Sequence, residues 1–298
     1  TENRWAQVAS DLRAHFGPFQ VAFTKKQGDG ILLARRGAEQ GRKFIIACGG
    51  DGTINEAANG ILESNPEIEL GVLPSGTGGD FRRTLRMPTD AREAAKGLKT
   101  GVTKKIDVGR VKFFNFAGEE VSRYFLNVSS FGLSAAIIER VKTKNKFDWL
   151  PHDLLRGKAT FAFSTLQEVL DLNYTTVRVK IDEKEEKLLN TINFAVANSR
   201  FFGGGMKIAP DAQLNDGLFD VVNIGDIKTA KILLNAYTLY AGSHLNLEEV
   251  NHIHAKRIEV RPANGQEIHL ETDGELPGKL PATFEIVPNA LKVRVPKH

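Results

Sequence analysis

The sequence lacks the features that mark several large classes of protein. Cys48 is the only cysteine among 298 residues, which excludes an internal disulfide framework and a cysteine-based zinc site. No apolar run approaches the roughly 18 residues that a membrane-spanning helix needs. The first residues, Thr-Glu-Asn-Arg-Trp, do not resemble a signal peptide. Internal repeats, low-complexity tracts and flexible linkers are also absent, and we expect a cytoplasmic protein.

Composition and charge are close to globular averages. Hydrophobic residues make up 41% and charged residues 26% of the chain, so neither disorder nor a coiled coil is indicated. The net charge of +4 is compatible with nucleotide substrates or an anionic membrane surface, and we expect no nucleic-acid partner. The length suits one large or two moderate domains, and we expect two.

A strand that runs into a glycine-rich turn is the central feature of the sequence. Residues 44–48 form a short apolar run, typical of a strand buried on both faces. Three of residues 49–52 are glycine, which lets a ligand approach the backbone N–H groups. Thr53 and Glu56 fit a capping box at the start of a helix. Because unpaired amides and the positive end of the helix dipole converge there, the turn is suited to bind a phosphate.

Asp51 lies between these glycines. A carboxylate cannot attract an anion directly, but it can hold Mg²⁺ against phosphate oxygens. The alternative is an ordinary strand-to-helix turn, because glycines cluster in such turns in any protein. Asp51 favours the phosphate site over that alternative.

Alternating strands and helices in the first third predict an α/β domain. A helix over residues 3–16, a strand over 20–24 and a second helix ending near Ala38 precede the central turn. A further strand, residues 70–73, leads into a second glycine-rich turn, residues 74–80. This order is typical of a parallel doubly wound sheet, whose ligands lie outside the carboxyl ends of the strands. We expect the two turns to close on one nucleotide.

The pattern changes near residue 107 to period-two segments that predict strands. The predicted strands cover residues 106–113, 123–128, 175–181, 191–197, 218–224, 257–261, 267–271, 283–287 and 291–295. Helices are predicted over residues 133–143, 154–171 and 228–241. We therefore expect an α/β nucleotide-binding domain over residues 1–107, then a β-sandwich domain with inserted helices over residues 108–298, and an active site in the cleft between them.

Four motifs follow one another along the chain. They are Gly-Gly-Asp-Gly-Thr with Asn-Glu from residue 49, Pro-Ser-Gly-Thr-Gly-Gly-Asp-Phe from residue 74, Ala-Pro-Asp-Ala with Asn-Asp-Gly-Leu-Phe-Asp from residue 209, and Asp-Gly-Glu from residue 273. This ordered set resembles the diacylglycerol kinase and sphingosine kinase superfamily, especially its bacterial lipid kinases. The resemblance implies a peripherally membrane-associated, ATP-dependent kinase that phosphorylates a hydroxyl of diacylglycerol or of a sphingoid or ceramide-type lipid.

The resemblance also implies roles for individual residues. Those expected to contact ATP are Thr24, Gly49, Gly50, Asp51, Gly52, Thr53, Asn55, Ser75, Gly76 and Thr77. Asp51, Asp273 and Glu275 are the expected catalytic residues, and either Asp273 or Glu275 would accept the proton of the lipid hydroxyl, which requires hydrogen-bond reach. A plain β-turn is the alternative for residues 273–275, because Asp-Gly is a frequent turn sequence.

A structural Mg²⁺ is implied at the third motif. The carboxylate of Asp216 and backbone oxygens near Gln213 and Leu218 would bind it, a donor set that suits Mg²⁺. The alternative is a hairpin turn without metal. His252 and His254 alternate as in a strand, and we interpret them as surface histidines rather than as a metal site.

The chain departs from the family pattern in two ways. Gly79 stands where the second motif normally has Asn. The strand and Asn-Pro-x-Ser-Gly loop with which the family usually begins are not found, so we expect part of the nucleotide site to lie outside these residues. An acyl chain would lie along apolar residues 146–170 and 201–206, although core packing is the alternative for each of them.

Two other functions stay open at this point. One is an NAD kinase-like kinase of a soluble acceptor, which shares the first motif; the Asp-Gly-Glu motif and the aromatic content speak against it. The other is a catalytically silent lipid-binding or nucleotide-binding protein, which the two departures motivate. The lipid head group and the oligomeric state, including a homodimer, are not decided by the sequence.

Overall fold

The computed structural model describes residues 5–74, 78–143 and 153–297. The first part of the chain contains α1 (Trp5–Phe16), α2 (Asp29–Glu39), β1 (Phe44–Gly49), α3 (Asp51–Leu62), β2 (Glu69–Pro74), α4 (Asp80–Thr84) and α5 (Ala91–Thr100). The second part contains β3 (Val102–Phe114), β4 (Glu120–Phe125), β5 (Val128–Gly132), α6 (Leu133–Thr143), α7 (Asp153–Leu170), β6 (Thr175–Ile181), β7 (Lys187–Thr191), β8 (Asn193–Ala197), β9 (Phe219–Ile224), α8 (Thr229–Ala241), β10 (Val250–Ala255), β11 (Arg257–Pro262), β12 (His269–Thr272) and β13 (Glu275–Val295). None of the described helices is both long and apolar enough to cross a bilayer.

A single sheet of 13 strands runs through both parts of the molecule. β1 and β2 pair in parallel, and the end of β13 pairs in parallel with β2. The other described pairings are antiparallel. The predicted parallel doubly wound sheet is therefore not confirmed, because parallel pairing in the described chain is limited to β1, β2 and the end of β13.

The long strand β13 joins the two parts. Its early residues pair with β12 and β11, and its last residues, around Val293, pair with β2 and with the start of β3. The predicted boundary at residue 107 falls inside β3, which also belongs to both parts. The boundary stays a prediction, but the chain crosses it within a strand rather than in a loop.

Two large apolar cores stabilise the two parts of the molecule. One lies among β1, β2 and helices α1 to α5, and contains Ile54, Leu70 and Phe81. The other fills the β-rich part, where the ring of Phe131 stacks on that of Phe194 with 5.2 Å between centroids. Because alternate residues of a strand point to opposite faces, the period-two pattern delivers these aromatic rings to one side of the sheet.

Two local predictions for the first part are wrong. Residues 20–24 form no strand, and β1 pairs with β2 alone in the described sheet. The segment therefore makes no strand pairing, and Phe23 instead packs edge-on against Trp5 with 5.6 Å between ring centroids. The capping box is also absent. Helix α3 begins at Asp51, and the Glu56 carboxylate reaches back to the start of α2, where it accepts from the backbone N–H groups of residues 28 and 30 at 2.6 and 2.8 Å.

Candidate active site

The first glycine-rich turn places the start of α3 at the end of β1. A Cβ atom on Gly49 would lie 2.7 Å from the Cβ of Thr53, so only glycine allows the backbone to turn this tightly into the helix. Gly50 precedes the helix and offers no side-chain cap. The first amides of α3, residues 51–53, therefore lack acceptors within the described parts of the chain. Such a helix N-terminus is suited to bind an anion.

Asp51 connects the first turn to the second. Its two carboxylate oxygens accept from the backbone N–H groups of Asp80 and Phe81, at 3.1 and 3.0 Å, so Asp51 caps α4. A Cβ on Gly78 would lie 2.8 Å from the Asp51 Oδ2 atom, which explains the need for glycine there. Each carboxylate oxygen retains a lone pair after these bonds, so the carboxylate can still take a cation ligand.

The second turn is described from Gly78 onward, and the predicted ATP contacts Ser75, Gly76 and Thr77 lie outside the described residues. Gly79 has φ of +68°, a left-handed conformation that Gly and Asn adopt more readily than other residues. A backbone requirement therefore accounts for Gly in the place that the family pattern gives to Asn.

Asp80 is a buried acid to which the sequence motifs assign no role. It accepts from the backbone N–H of Gly204 and from Arg83 Nη1, both at 2.8 Å, and burial raises the pKa of its carboxyl. These bonds hold the apolar loop, residues 202–206, against the second turn. Sequence reasoning misses this contact because its partners are more than 120 residues apart.

Asp273 lies beside the N-terminal half of α3. Its backbone has a left-handed φ of 47°, and its carboxylate accepts from three consecutive backbone N–H groups, residues 126–128, at 2.8 to 3.1 Å. Asn55 Nδ2 donates a fourth bond at 2.7 Å. Four donors use all the lone-pair directions of a carboxylate. Burial raises the pKa of Asp273 to about 6, although the backbone hydrogen bonds oppose this shift.

Asn55 forms a bridge between the two parts of the molecule. Besides Asp273, its amide nitrogen donates to the Tyr124 carbonyl at 3.0 Å, and its oxygen accepts from Arg123 Nη2 at 3.2 Å. The side chain is buried. These bonds clamp α3 to β4 and to the turn of residues 273–275, while the predicted contact of Asn55 with ATP stays a prediction.

Glu275 points from the same turn toward the first glycine-rich turn. Its Oε2 atom forms an ion pair with Arg123 Nη2 at 2.6 Å. Its Oε1 atom lies 3.8 Å from the position that a Cβ on Gly52 would take. The start of α3 and the Asp-Gly-Glu turn are thus neighbours, as the motif order leads us to expect, and Arg123 is a positioning residue that the motifs do not contain.

Two family models match the chain. The description "Diacylglycerol kinase catalytic domain" applies to residues 1–111. The description "YegS C-terminal NAD kinase beta sandwich-like domain" applies to residues 127–295, which is more than half of the chain. The chain belongs to the bacterial diacylglycerol kinase-like lipid kinase superfamily. As a member of this superfamily it is a kinase that uses an alcohol group as the acceptor, and the superfamily implies ATP as the phosphate donor.

Curated relatives of this lipid kinase match it over most of their length. A diacylglycerol kinase of Bacillus subtilis (strain 168) is 31% identical over 275 residues, which cover 91% of this chain and 84% of the relative. A diacylglycerol kinase of Mycobacterium tuberculosis (strain ATCC 25618 / H37Rv) is 30% identical over 271 residues, with 91% and 82% covered.

Solved structures share the fold of the kinase. A diacylglycerol kinase from Bacillus anthracis str. Sterne gives a TM-score of 0.70 at 22% identity and covers 99% of this chain and 91% of its own. A second structure from the same organism gives a TM-score of 0.76 at 25% identity, with 98% and 91% covered. The predicted two-domain order, with a β-sandwich-like second domain, is confirmed.

The predicted metal residues of the kinase lie on an exposed turn between β8 and β9. Asp216 Oδ1 accepts from the Leu218 N–H at 3.0 Å, and Gln213 is exposed. Buried Asp107 holds the turn by accepting from Gly217 N at 2.7 Å. The donors on offer are one carboxylate and backbone carbonyls, and this all-oxygen set fits Mg²⁺. The site itself stays a prediction.

The remaining predicted ATP contact, Thr24, is exposed in the segment that forms no strand, and its contact with ATP stays a prediction. Sequence reasoning also misses the buried acid Glu271, which accepts from the Gly274 N–H at 2.6 Å and is hydrogen-bonded to the Ser130 hydroxyl. Burial raises the pKa of Glu271 to about 8. Glu271 is therefore mostly protonated at neutral pH, and it stabilises the Asp-Gly-Glu turn through its hydrogen bond with Gly274 N.

Proposed function

We propose that this kinase transfers the γ-phosphoryl group of ATP to a hydroxyl of diacylglycerol at a membrane surface. The observation that carries the proposal is the position of the Glu275 carboxylate beside the N-terminus of α3, with Oε1 3.8 Å from a Cβ built on Gly52. The acceptor is suggested by the relatives, which are named diacylglycerol kinases. Residues 1–107 would form the nucleotide wall of the cleft and residues 108–298 the lipid wall.

The phosphates would bind at the amides of residues 49–53. Phosphoryl transfer needs positioned donors and charge neutralisation more than covalent chemistry, and α3 offers both through its free N–H groups and its dipole. When bound, Mg²⁺ would neutralise the phosphate oxygens, and Asp51 is the carboxylate placed to hold it. The oxygen-only turn at Asp216, with the carbonyls of Gln213 and Leu218, would hold a second, structural ion.

We assign the proton-accepting role to Glu275 and a positioning role to Asp273. All four lone-pair directions of Asp273 are used by N–H donors, so it has none left for a lipid hydroxyl. Glu275 holds Arg123 with Oε2 and keeps Oε1 for the acceptor. Because little proton abstraction is needed before a loose transition state is reached, a carboxylate is a sufficient base.

A labelled-phosphate assay tests the proposal. Purified protein is incubated with Mg²⁺ and γ-labelled ATP, and with diacylglycerol, sphingosine, ceramide or NAD as the acceptor. We expect labelled phosphatidic acid as the main product and a loss of at least a hundredfold in Glu275→Gln. Labelled NAD alone would indicate an NAD kinase-like enzyme, and a labelled sphingoid or ceramide would reassign the lipid. The absence of any labelled product would indicate a silent binding protein.

We propose that α8 makes the peripheral membrane contact of a cytoplasmic enzyme. Leu234, Tyr237 and Tyr240 are 76%, 67% and 56% exposed, and their spacing places them along one side of the helix. The backbone of α8 bonds next to the apolar loop of residues 202–206, where Lys207 N donates to Leu239 O at 2.7 Å. Apolar and aromatic residues that are exposed on one helix side suit a membrane interface.

Vesicle co-sedimentation tests the membrane contact. Leu234→Ser should reduce binding to vesicles that contain an anionic phospholipid and diacylglycerol, because it removes the most exposed apolar side chain of the surface. Leu188→Ser, which alters an exposed leucine on β7, is the matched control and should bind as the parent does. Equal loss in both variants would mean that α8 is not the membrane contact.

A further inference from the structure

Two histidines on an edge strand converge on one buried carboxylate. His252 and His254 lie two residues apart on β10, so their side chains leave the same face of the strand. The neighbouring strand β9 supplies Asp220, which pairs with His254 in the β10–β9 register. His252 Nε2 lies 2.7 Å and His254 Nε2 lies 3.4 Å from the same Asp220 Oδ1 atom.

Among the described residues, the ion-pair partners of Asp220 are these two histidines and no Lys or Arg. Asp220 is buried, and burial raises the pKa of its carboxyl, while the histidines lower it and the nearby Asp216 raises it again. One buried carboxylate therefore faces two imidazoles at the end of the sheet, and a bound dication would compensate its negative charge.

We propose that Asp220, His252 and His254 form a binding site for a divalent transition metal ion such as Zn²⁺. Their ligand atoms lie within 4.8 Å of one another. Ligands of a tetrahedral zinc ion are about 3.3 Å apart, as bonds of about 2.0 Å require, so the His252–Asp220 pair needs to open by only about half an ångström. The His254 side chain is 54% exposed, which leaves the fourth position open to water.

The donor set distinguishes this site from a magnesium site. Imidazole nitrogens favour Zn²⁺, Cu²⁺ and Ni²⁺, whereas Mg²⁺ is bound through oxygens. The turn at Asp216 offers only oxygens, so the two sites would select different ions although they are close in space. The proposal therefore does not depend on the kinase reaction.

The ion would bind residues of two adjacent antiparallel strands, β9 and β10, whose connection along the chain runs through α8. β10 is the last strand at its end of the sheet and pairs with β9 alone in the described topology. Because bonds from both strands to one ion hold the edge in register, we expect binding of the ion to stabilise the folded protein. The role we propose for the ion is structural, because its ligands come from two paired strands at the edge of the sheet.

Titration of metal-stripped protein with Zn²⁺ tests the proposal. We expect one Zn²⁺ per chain by calorimetry, an unfolding temperature that rises by several degrees, and absorption bands of a tetrahedral ion with Co²⁺. His252→Asn can still donate a hydrogen bond to Asp220, so it should unfold near the parent temperature without metal. It should bind Zn²⁺ at least tenfold more weakly, and His254→Ala should do the same.

His269→Ala is the matched control. His269 also contacts two carboxylates, those of Glu139 and Glu267, but among the described residues it does not belong to a cluster of three potential metal ligands, so its removal should leave Zn²⁺ binding unchanged. Zn²⁺ binding that is absent, or that is the same in His252→Asn as in the parent, would show that the cluster is a hydrogen-bonded group only. Displacement of Zn²⁺ by millimolar Mg²⁺ would also overturn the proposal.

Discussion

At the scale of single residues, the two acids of the Asp-Gly-Glu turn differ in their remaining hydrogen-bonding capacity. The sequence does not distinguish Asp273 from Glu275, because both are carboxylates at a strand end. The distinction comes from contacts made across the fold: residues 126–128 and Asn55 saturate Asp273, while Arg123 takes only one oxygen of Glu275. A local sequence pattern does not specify contacts between residues that lie about 150 or more positions apart in the chain.

The first prediction separates the catalytic role of Glu275 from the positioning role of Asp273. Glu275→Gln should lower kcat by about a hundredfold or more and leave the unfolding temperature nearly unchanged. Asp273→Asn should destabilise the fold by about 1 to 3 kcal/mol, because an NH₂ group would face backbone N–H donors. Steady-state kinetics and urea unfolding of both variants provide the measurements. Unaltered stability of Asp273→Asn together with normal turnover of Glu275→Gln would return the proton-accepting role to Asp273.

The buried acid Glu271 predicts a pH dependence of stability. Burial raises its folded-state pKa to about 8 from an ordinary 4.5, so between these values the native state binds more protons than the unfolded state. The free energy of unfolding should therefore fall as pH rises from about 4.5 to about 8, by at most roughly 1.4 kcal/mol per pH unit.

The variant Glu271→Gln measures this contribution. A glutamine can accept from Gly274 N and donate to Ser130, as a protonated glutamate does. Urea midpoints between pH 6.5 and 8, a range above the pKa of about 6 for Asp273, should fall in the parent and stay nearly constant in the variant. Parallel slopes in the two proteins would show that Glu271 does not titrate in this range.

At the scale of elements, long amphipathic helices follow closely from the sequence. The predicted helices over 133–143, 154–171 and 228–241 match α6, α7 and α8 closely, because amphipathic periodicity is a local property. Helices α4 and α5 and strands β5 and β7 escape prediction, β10 is indicated only by the alternation of His252 and His254, and residues 283–287 and 291–295 belong to one strand, β13. A strand is stabilised by its neighbour, and residues 20–24 show the converse, since a β-like sequence without a partner forms no strand.

The second glycine-rich turn gives a prediction for one backbone position. Because Gly79 has φ of +68°, Gly79→Ala should cost about 1 to 2 kcal/mol, whereas Gly79→Asn should cost less, since asparagine adopts this conformation more readily. Urea unfolding compares the two variants directly. An alanine variant as stable as the asparagine variant would mean that the conformation does not select the residue.

At the scale of the whole molecule, two long strands and the hydrogen bonds of one buried asparagine side chain join the two parts. β3 and β13 run through both, and Asn55 ties α3 to Tyr124, Arg123 and Asp273. The order of the motifs leads us to expect Asp51 and the 273–275 turn side by side, and the structure places them so. The continuous sheet could not be expected from local patterns, because distant strands such as β3 and β13, or β5 and β12, pair to complete it.

This shared construction predicts that the two parts unfold together. Trp5 and Trp149 are the two tryptophans, so Trp149→Phe leaves Trp5, in α1, as a fluorescent reporter of the first part, while far-ultraviolet circular dichroism reports on all elements. In that background the two urea transitions should coincide. Asn55→Ala should shift both equally, by about 1 to 3 kcal/mol, because it leaves buried polar partners unsatisfied. Asn65→Ala, at an exposed position just beyond the same helix, is the control: it removes only the solvent-exposed bond from Glu67 N and should shift both transitions far less than Asn55→Ala does. A Trp5 transition that moves alone would show that the parts unfold independently, and that the clamp at Asn55 supports only the first of them.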